Sequence, residues 1–393
     1  MVARNSYRAQ VELLIRCLPA VASAPDFALK GGTAINLFLR NMPRLSVDID
    51  LTYLPVSDRD TALADIRAQL AAIADALKRT VPGVNVQLVE GDAPKLLVDK
   101  AGARIKVEPS VVIRGSLVPP VTSALCSAAQ EDYELFVEIQ RLDSPDLYAG
   151  KLCAALDRQH PRDLFDVMHL QAAGPIPDSI REAFVAYLAG HRRPIAELLQ
   201  PNRKPIEGMF ANHFAGMTEE PVELADLEAA RTQLFEWAAS ALTENERRFL
   251  LSIKHGEPDW SLLSFEGLDQ WPAIQWKLHN IGLMSTRSHR KAADRLREPA
   301  DRQAVRLEPD RVHGHLILLD EAPHRGHLGH PRRREQGVAN VPVLDGPQLL
   351  QVPPARGAPL AIPPLQRVPE HLPEGGGVRT EGGAHPGGQR PRR

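Results

Sequence analysis

No apolar run in this 393-residue chain reaches the ~18 positions that a membrane-spanning helix needs, so no membrane span is expected. The amino-terminal MVARNSYRAQVELLIRCL scatters charge through an amphipathic pattern and lacks a continuous apolar stretch ending in small residues, which argues against a secretory leader. Cysteine is scarce. Cys17, Cys126 and Cys153 lie far apart and are odd in number, so neither a disulfide framework nor a zinc knuckle is indicated, and a reducing cytoplasm fits best. The net charge of −2 gives no bulk attraction to nucleic acid, and any such binding must come from a local basic patch. No Gly-x-Ser-x-Gly elbow, Walker loop or His-Glu-x-x-His occurs. His160, His169 and His191 stand singly, as surface or core histidines do.

A second set of absences divides the chain. After Trp276 there is no aromatic residue, and after Lys291 no lysine. The last 96 residues hold 15 of the 34 prolines and 13 of the 27 glycines. Such a segment cannot bury enough apolar surface to offset its ordering entropy, so residues 298–393 are expected to be a disordered tail. Arginine without lysine, among Pro, Gly, Ala and His, is what GC-rich DNA yields out of frame. A frameshift product is therefore one origin for the tail, and a functional Pro-rich segment the other. Before it, residues 1–297 carry 34 basic against 38 acidic side chains.

What is present reads as an α+β fold: a small mixed-sheet core over 1–140, then a helical domain over 141–297. Residues 6–23 form an amphipathic helix, and Phe27–Lys30 a short strand. Gly31-Gly32 makes a turn, with Thr33–Arg40 a helix opened by Thr33. Ser46–Leu54 alternates as a strand, Val47, Ile49 and Leu51 on one face and Asp48 and Asp50 on the other. Residues 60–79 are helical, while 85–89 and 104–113 read as further strands. Trp260, Trp271 and Trp276 are expected to fill the helical core.

The chemistry lies in KGGTAINLFLRNMPRLSVDIDLTYLP, residues 30–55. Carboxylates at i and i+2 of a strand point the same way, within reach of one or two Mg²⁺ (or Mn²⁺) ions that could neutralise a triphosphate. Gly31 and Gly32 opening a helix at Thr33 would offer backbone N–H groups to phosphates, with no Cβ to hold them off. Strand, Gly-Gly, helix and Asp-x-Asp strand, in that order, point to phosphoryl transfer.

This segment resembles the first motif of the polymerase-β-like nucleotidyltransferases and, within them, the AbiEii/AbiGii toxin family. The resemblance spans nearly all of residues 20–297. By analogy Glu108, on the alternating Arg104–Ser110 stretch, is a third metal ligand or the base for the acceptor's proton. Pro109 and Ser110 match the second motif only loosely. The third motif is matched by Asp146, Lys151 and Arg158, and the fourth by Arg162, Asp163 and Asp166. Lys151 and Arg158 are two turns apart on one helix face and would grip the triphosphate. Asp163, with Asp166 or Glu108, would orient or deprotonate the acceptor. The plain alternative is a surface ion-pair lattice, Asp157 with Arg158 and Arg162 with Asp166.

The resemblance implies the toxin half of a toxin–antitoxin or abortive-infection pair, with a nucleotide triphosphate as substrate and a separately encoded antitoxin. The acceptor it suggests first is RNA, at the 3′ end of tRNA. An enzyme that modifies a small molecule, as antibiotic-modifying nucleotidyltransferases do, and a non-catalytic nucleotide- or RNA-binding module are the alternatives.

Overall fold

The protein is seen in a computed structural model that describes residues 2–284 together with Asp294 and Leu296. The 298–393 tail lies outside the described residues. In chain order the elements are α1 (Val2–Ala22), β1 (Phe27–Lys30), α2 (Gly31–Thr33, continuing as a π-helical turn over Ala34–Leu39), β2 (Asp48–Tyr53), α3 (Arg59–Thr80), β3 (Asn85–Val89), β4 (Lys95–Lys100) and β5 (Ala103–Ser110). They continue with β6 (Val121–Ala124), α4 (Ser127–Tyr133), β7 (Glu138–Arg141), α5 (Ser144–Arg158), α6 (Pro161–Ala172), α7 (Asp178–Gly190), α8 (Ile195–Leu199), α9 (Glu207–His213), α10 (Leu224–Ser240), α11 (Glu244–His255) and α12 (Pro272–Gly282).

One mixed sheet holds all seven strands, in the order β3-β4-β5-β2-β1-β7-β6. The β2–β5 and β1–β7 pairs are parallel and the others antiparallel. β2 therefore has β1 on one side and β5 on the other, and its alternation explains why. Ile49 and Leu51 are fully buried, whereas Asp48 and Asp50 lie on the opposite, half-exposed face. Burying each aliphatic side chain contributes about 1.5–3 kcal/mol and fixes the register, because a one-residue slip would carry the aspartates into the core.

The helices beyond Asp143 have local starts. Asp143 caps α5 by accepting from the Ser144 amide, and Pro145 sits in the first turn. α5 ends at Gln159 in the left-handed region (φ 53°), and α6 starts at once behind Pro161. Trp271 is buried, and Trp260 packs partly buried against the core. Trp276 corrects the expectation: at 54% exposed it lies on the wall of a surface cavity, because α12 turns Ala273, Ile274 and Ile281 inward instead.

Candidate active site

The turn after β1 is shaped around Asp50. Gly31 has φ +69°, and a Cβ there would lie 2.4 Å from Asp50 Oδ2. Glycine is thus required both for the backbone and for the space that the carboxylate fills. A Cβ on Gly32 would come within 2.6 Å of Arg44 Nη2. Thr33 is fully buried, and its hydroxyl donates to the Asp48 carbonyl at 2.5 Å, tying the helix start to the first residue of β2.

Strand pairing assembles the charged face. Lys30 stands opposite Asp50 on one side, and Glu108 stands opposite Asp50 on the other. Burial pushes the Asp50 carboxyl above its usual range, Lys30 opposes this, and Asp48 adds to it. Burial likewise lowers Lys30, against the pull of Asp50 and Glu108. Glu108 is 41% exposed, with Lys95 at 3.9 Å.

The second wall comes from α5 and α6. Pro161 prevents α5 from running on, so the chain reverses and sets Asp163 and Asp166 against Lys151 and Arg158. Lys151 Nζ lies 2.8 Å from Asp163 Oδ1 and 2.9 Å from Asp166 Oδ2. Arg158 donates to both Asp163 oxygens, at 2.5 and 3.0 Å. Arg44 grips Asp166 through two bonds of 2.8 and 2.7 Å, and Asn36 adds a third at 3.0 Å. Burial pushes Asp163 upward, but Lys151 and Arg158 overcome this and hold the carboxyl far below the usual range. Lys151 is held charged, its two aspartates outweighing its burial.

The surface lattice posed as the alternative does not form. Arg162 reaches Asp48 at 3.5 Å instead of Asp166, and Asp157 pairs with Arg193 at 3.0 Å. Asp146 is buried and accepts from the Leu117 and Val118 amides and from the Tyr187 hydroxyl, tying the loop after β5 to α5.

A cavity of about 500 Å³ is lined together by Gly31, Gly32, Asp48, Asp50, Glu108, Asp146, Lys151, Arg158, Arg162 and Asp163. Thr33 and Asp166 are not in its lining; each acts one layer behind, on Asp48 and on Lys151 respectively. Sequence reasoning missed Lys30, Arg44 and Arg192. Lys30 is legible only from strand register. Arg44 meets its partner across 122 residues, and no local spacing could signal that.

Among the described residues no three His, Cys, Asp or Glu side chains gather closely enough to hold a metal by themselves. Asp48 and Asp50 still fit one. Magnesium is commonly held by one or two carboxylates with phosphate oxygens completing the shell, and Asp50 stands between Lys30 and Glu108 with Asp48 adding to its negative charge. No helix among the described residues is long and apolar enough to cross a membrane.

Comparison with solved structures finds MenT4, a nucleotidyltransferase toxin from Mycobacterium tuberculosis H37Rv, at 18% identity and a TM-score of 0.48, covering 75% of this chain and 94% of that one. Comparison with curated proteins gives no match. The family described as nucleotidyl transferase AbiEii toxin, of type IV toxin–antitoxin systems, matches residues 12–280. With Gly-Gly, Asp-x-Asp and the paired α5–α6 helices lining one cavity, the chain belongs to the AbiEii nucleotidyltransferase toxin family.

Proposed function

We propose that this nucleotidyltransferase moves a nucleoside monophosphate from a nucleotide triphosphate onto an RNA acceptor, with Asp48 and Asp50 holding Mg²⁺ or Mn²⁺. The reading rests on one observation above all: the paired carboxylates of β2 and the cations of α5–α6 face a common cavity. Residues 1–140 would supply the carboxylates and glycines, and the helical domain, 141–297, the cations.

In this scheme Gly31 and Gly32 let the β- and γ-phosphates approach the backbone. The metal, when bound, neutralises phosphate charge and aligns attacking and leaving oxygens. Arg158 and Lys151 face the pyrophosphate side, and Arg162, now 3.5 Å from Asp48, can turn to the triphosphate. The acceptor hydroxyl oxygen bonds to the α-phosphorus while the bond from that phosphorus to the bridging oxygen of the β-phosphate breaks, releasing pyrophosphate. The hydroxyl proton passes to Glu108, whose neighbour Lys95 is 3.9 Å away. Asp163 is a poor base, since both its oxygens are occupied by cations. Asp163 and Asp166 instead act as positioning residues that hold Lys151 and Arg158.

The test incubates the full chain and its Asp48→Ala variant with Mg²⁺, each α-labelled nucleotide triphosphate in turn, and total tRNA. Label on RNA with the parent and a loss of at least about 100-fold with the variant is the expected result. Label only on a small molecule would replace the acceptor. Nucleotide binding without transfer to RNA, protein or small molecule would leave a binding module.

A further inference from the structure

A second cavity, of about 660 Å³, opens beside the catalytic one. The two share Ile113, His191 and Arg192 in their walls, so they adjoin. Apolar side chains, among them Ile195, Ile281 and Met284, line much of it. Arg192 and Lys277 add positive charge, and Glu197, the acidic residue among the described lining, is itself paired with Arg193 at 2.9 Å. Trp276 stands in the wall with more than half its surface exposed. Its ring stacks on His279, with centroids 5.7 Å apart and planes 23° from parallel, so the indole is held from one side.

Lys277 secures this wall to the catalytic one. Its ammonium donates to the His191 and Arg193 carbonyls, each at 2.7 Å, and so joins α12 to the turn that both cavities use. Arg192 is the exposed cation at the junction. Its side chain is 83% accessible, with the Asp157 carboxylate 3.9 Å away.

We propose that this second cavity seats the unpaired end of the acceptor strand: a nucleotide base stacks on Trp276, Arg192 meets its phosphate, and the terminal hydroxyl is delivered past Ile113 and His191 to the α-phosphorus. The inference rests on the nucleotidyl-transfer reading and adds where the acceptor lies and that its end is unpaired. Aromatic face, the exposed Arg192 guanidinium and an apolar floor together match a base with its phosphate; every base offers a π-face, and each stack contributes about 1–3 kcal/mol. A neutral apolar acceptor would use the floor and make no use of the exposed Arg192 guanidinium. A duplex is too wide for a cavity of this size, so the seat takes unpaired nucleotides.

The experiment measures binding of a 5′-fluorescein-labelled random hexaribonucleotide to the full chain by anisotropy, without nucleotide triphosphate. Trp276→Ala is expected to weaken binding roughly 10- to 100-fold and Trp276→Phe to restore most of it, since phenylalanine keeps an aromatic face. Arg192→Glu should weaken binding and make the salt dependence shallower by about 0.7 per lost phosphate contact. In transfer assays the Trp276→Ala loss should appear in KM for RNA, with kcat and nucleotide affinity near the parent's, since Trp276 lies outside the catalytic lining. Because Trp276 and Arg192 are exposed, both variants should keep the parent's unfolding midpoint.

Equal hexamer binding by parent and both variants, or no hexamer binding by the parent, overturns the seat. So does a Trp276→Ala change in oligomeric state, which would make the face a contact between copies. A parent that binds hexamer through Trp276 yet labels no RNA keeps the seat and overturns the transfer reading. A parent and a Trp276→Ala variant that label RNA with the same KM overturn the seat and leave that reading intact.

Discussion

Gly31 and Asp50 act as a pair, 19 positions apart in sequence and in contact across the turn. With φ +69° at Gly31 and a Cβ there only 2.4 Å from Asp50 Oδ2, Gly31→Ala must displace either the backbone or the carboxylate. The expected outcome is a loss of about 1–3 kcal/mol in urea unfolding, from strain at a left-handed position. Nucleotidyl transfer should fall at least about 100-fold, because a metal ligand moved by an ångström no longer aligns the reacting groups. If Gly31→Ala kept parental transfer, Asp50 would not be a ligand. This pair was half legible in the sequence. Gly-Gly and Asp-x-Asp lie within one short window and have the spacing of a phosphate turn and a metal strand. That Gly31 also makes room for Asp50 comes from the antiparallel register of β1 and β2, which no composition or spacing reveals. Lys30 belongs to the same hidden layer, and so does Arg44 under Asp166.

At the scale of elements, the turn between α5 and α6 sets the geometry of the cationic wall, and a histidine starts the second helix. His160 accepts the Arg162 amide at Nδ1 (3.1 Å), and His191, after α7, accepts the Arg193 amide in the same way (3.2 Å). Both acceptors must be unprotonated. Burial, helped by Arg162, brings His160 down to about 4; burial also brings His191 to about 4, against the pull of Asp157. Unfolded histidine titrates near 6.5, so between roughly pH 6.5 and 4 the unfolded chain binds protons that the folded chain refuses. Stability is therefore fully present above about pH 6.5 and falls as pH drops toward 4, by on the order of 1 kcal/mol for each histidine once solvent around them is allowed for. His160→Asn keeps an N-cap acceptor that does not titrate, and should flatten the urea-midpoint profile over that range while leaving the pH 7.5 midpoint nearly unchanged. An unaltered slope in the variant would remove His160 from the account. Here too legibility followed length. The long periodic helices, the alternating β2 and β5 and the apolar β1 before Gly-Gly could be read from sequence, whereas β4, β6 and β7 carry no such local signal. β6 and β7 exist because β1 offers a parallel edge at Leu29 to Arg141, a tertiary fact.

Across the molecule, the cavity joins a sheet wall that carries the Asp-x-Asp carboxylates to a helix wall that carries Lys151, Arg158 and Arg162, and Asp50 and Lys151 are about a hundred residues apart in the chain. Asp48, Asp50 and Glu108 come from the sheet, Lys151, Arg158 and Arg162 from the helices behind it. Hydrogen bonds already cross between the sides: Asn36 and Arg44 to Asp166, and Leu117 and Val118 to Asp146. On the proposed reading a nucleotide triphosphate with Mg²⁺ would add a link, its phosphates at the β1–β2 turn and its leaving group at α5. Hydrogen exchange with the ligand at about 100 times its Kd, equivalent to roughly 2.7 kcal/mol of binding stabilisation, should therefore slow exchange in Asp48–Tyr53 and in Ser144–Arg158 together. Protection confined to the β1–β2 region would mean that Lys151 and Arg158 do not hold the triphosphate, and that their ion pairs with Asp163 only brace the helices. Omitting Mg²⁺ separates the contributions further. On the proposed reading the carboxylate side would face the phosphates through a cation, so its protection should be lost first, while the cationic helices would still bind the bare triphosphate weakly.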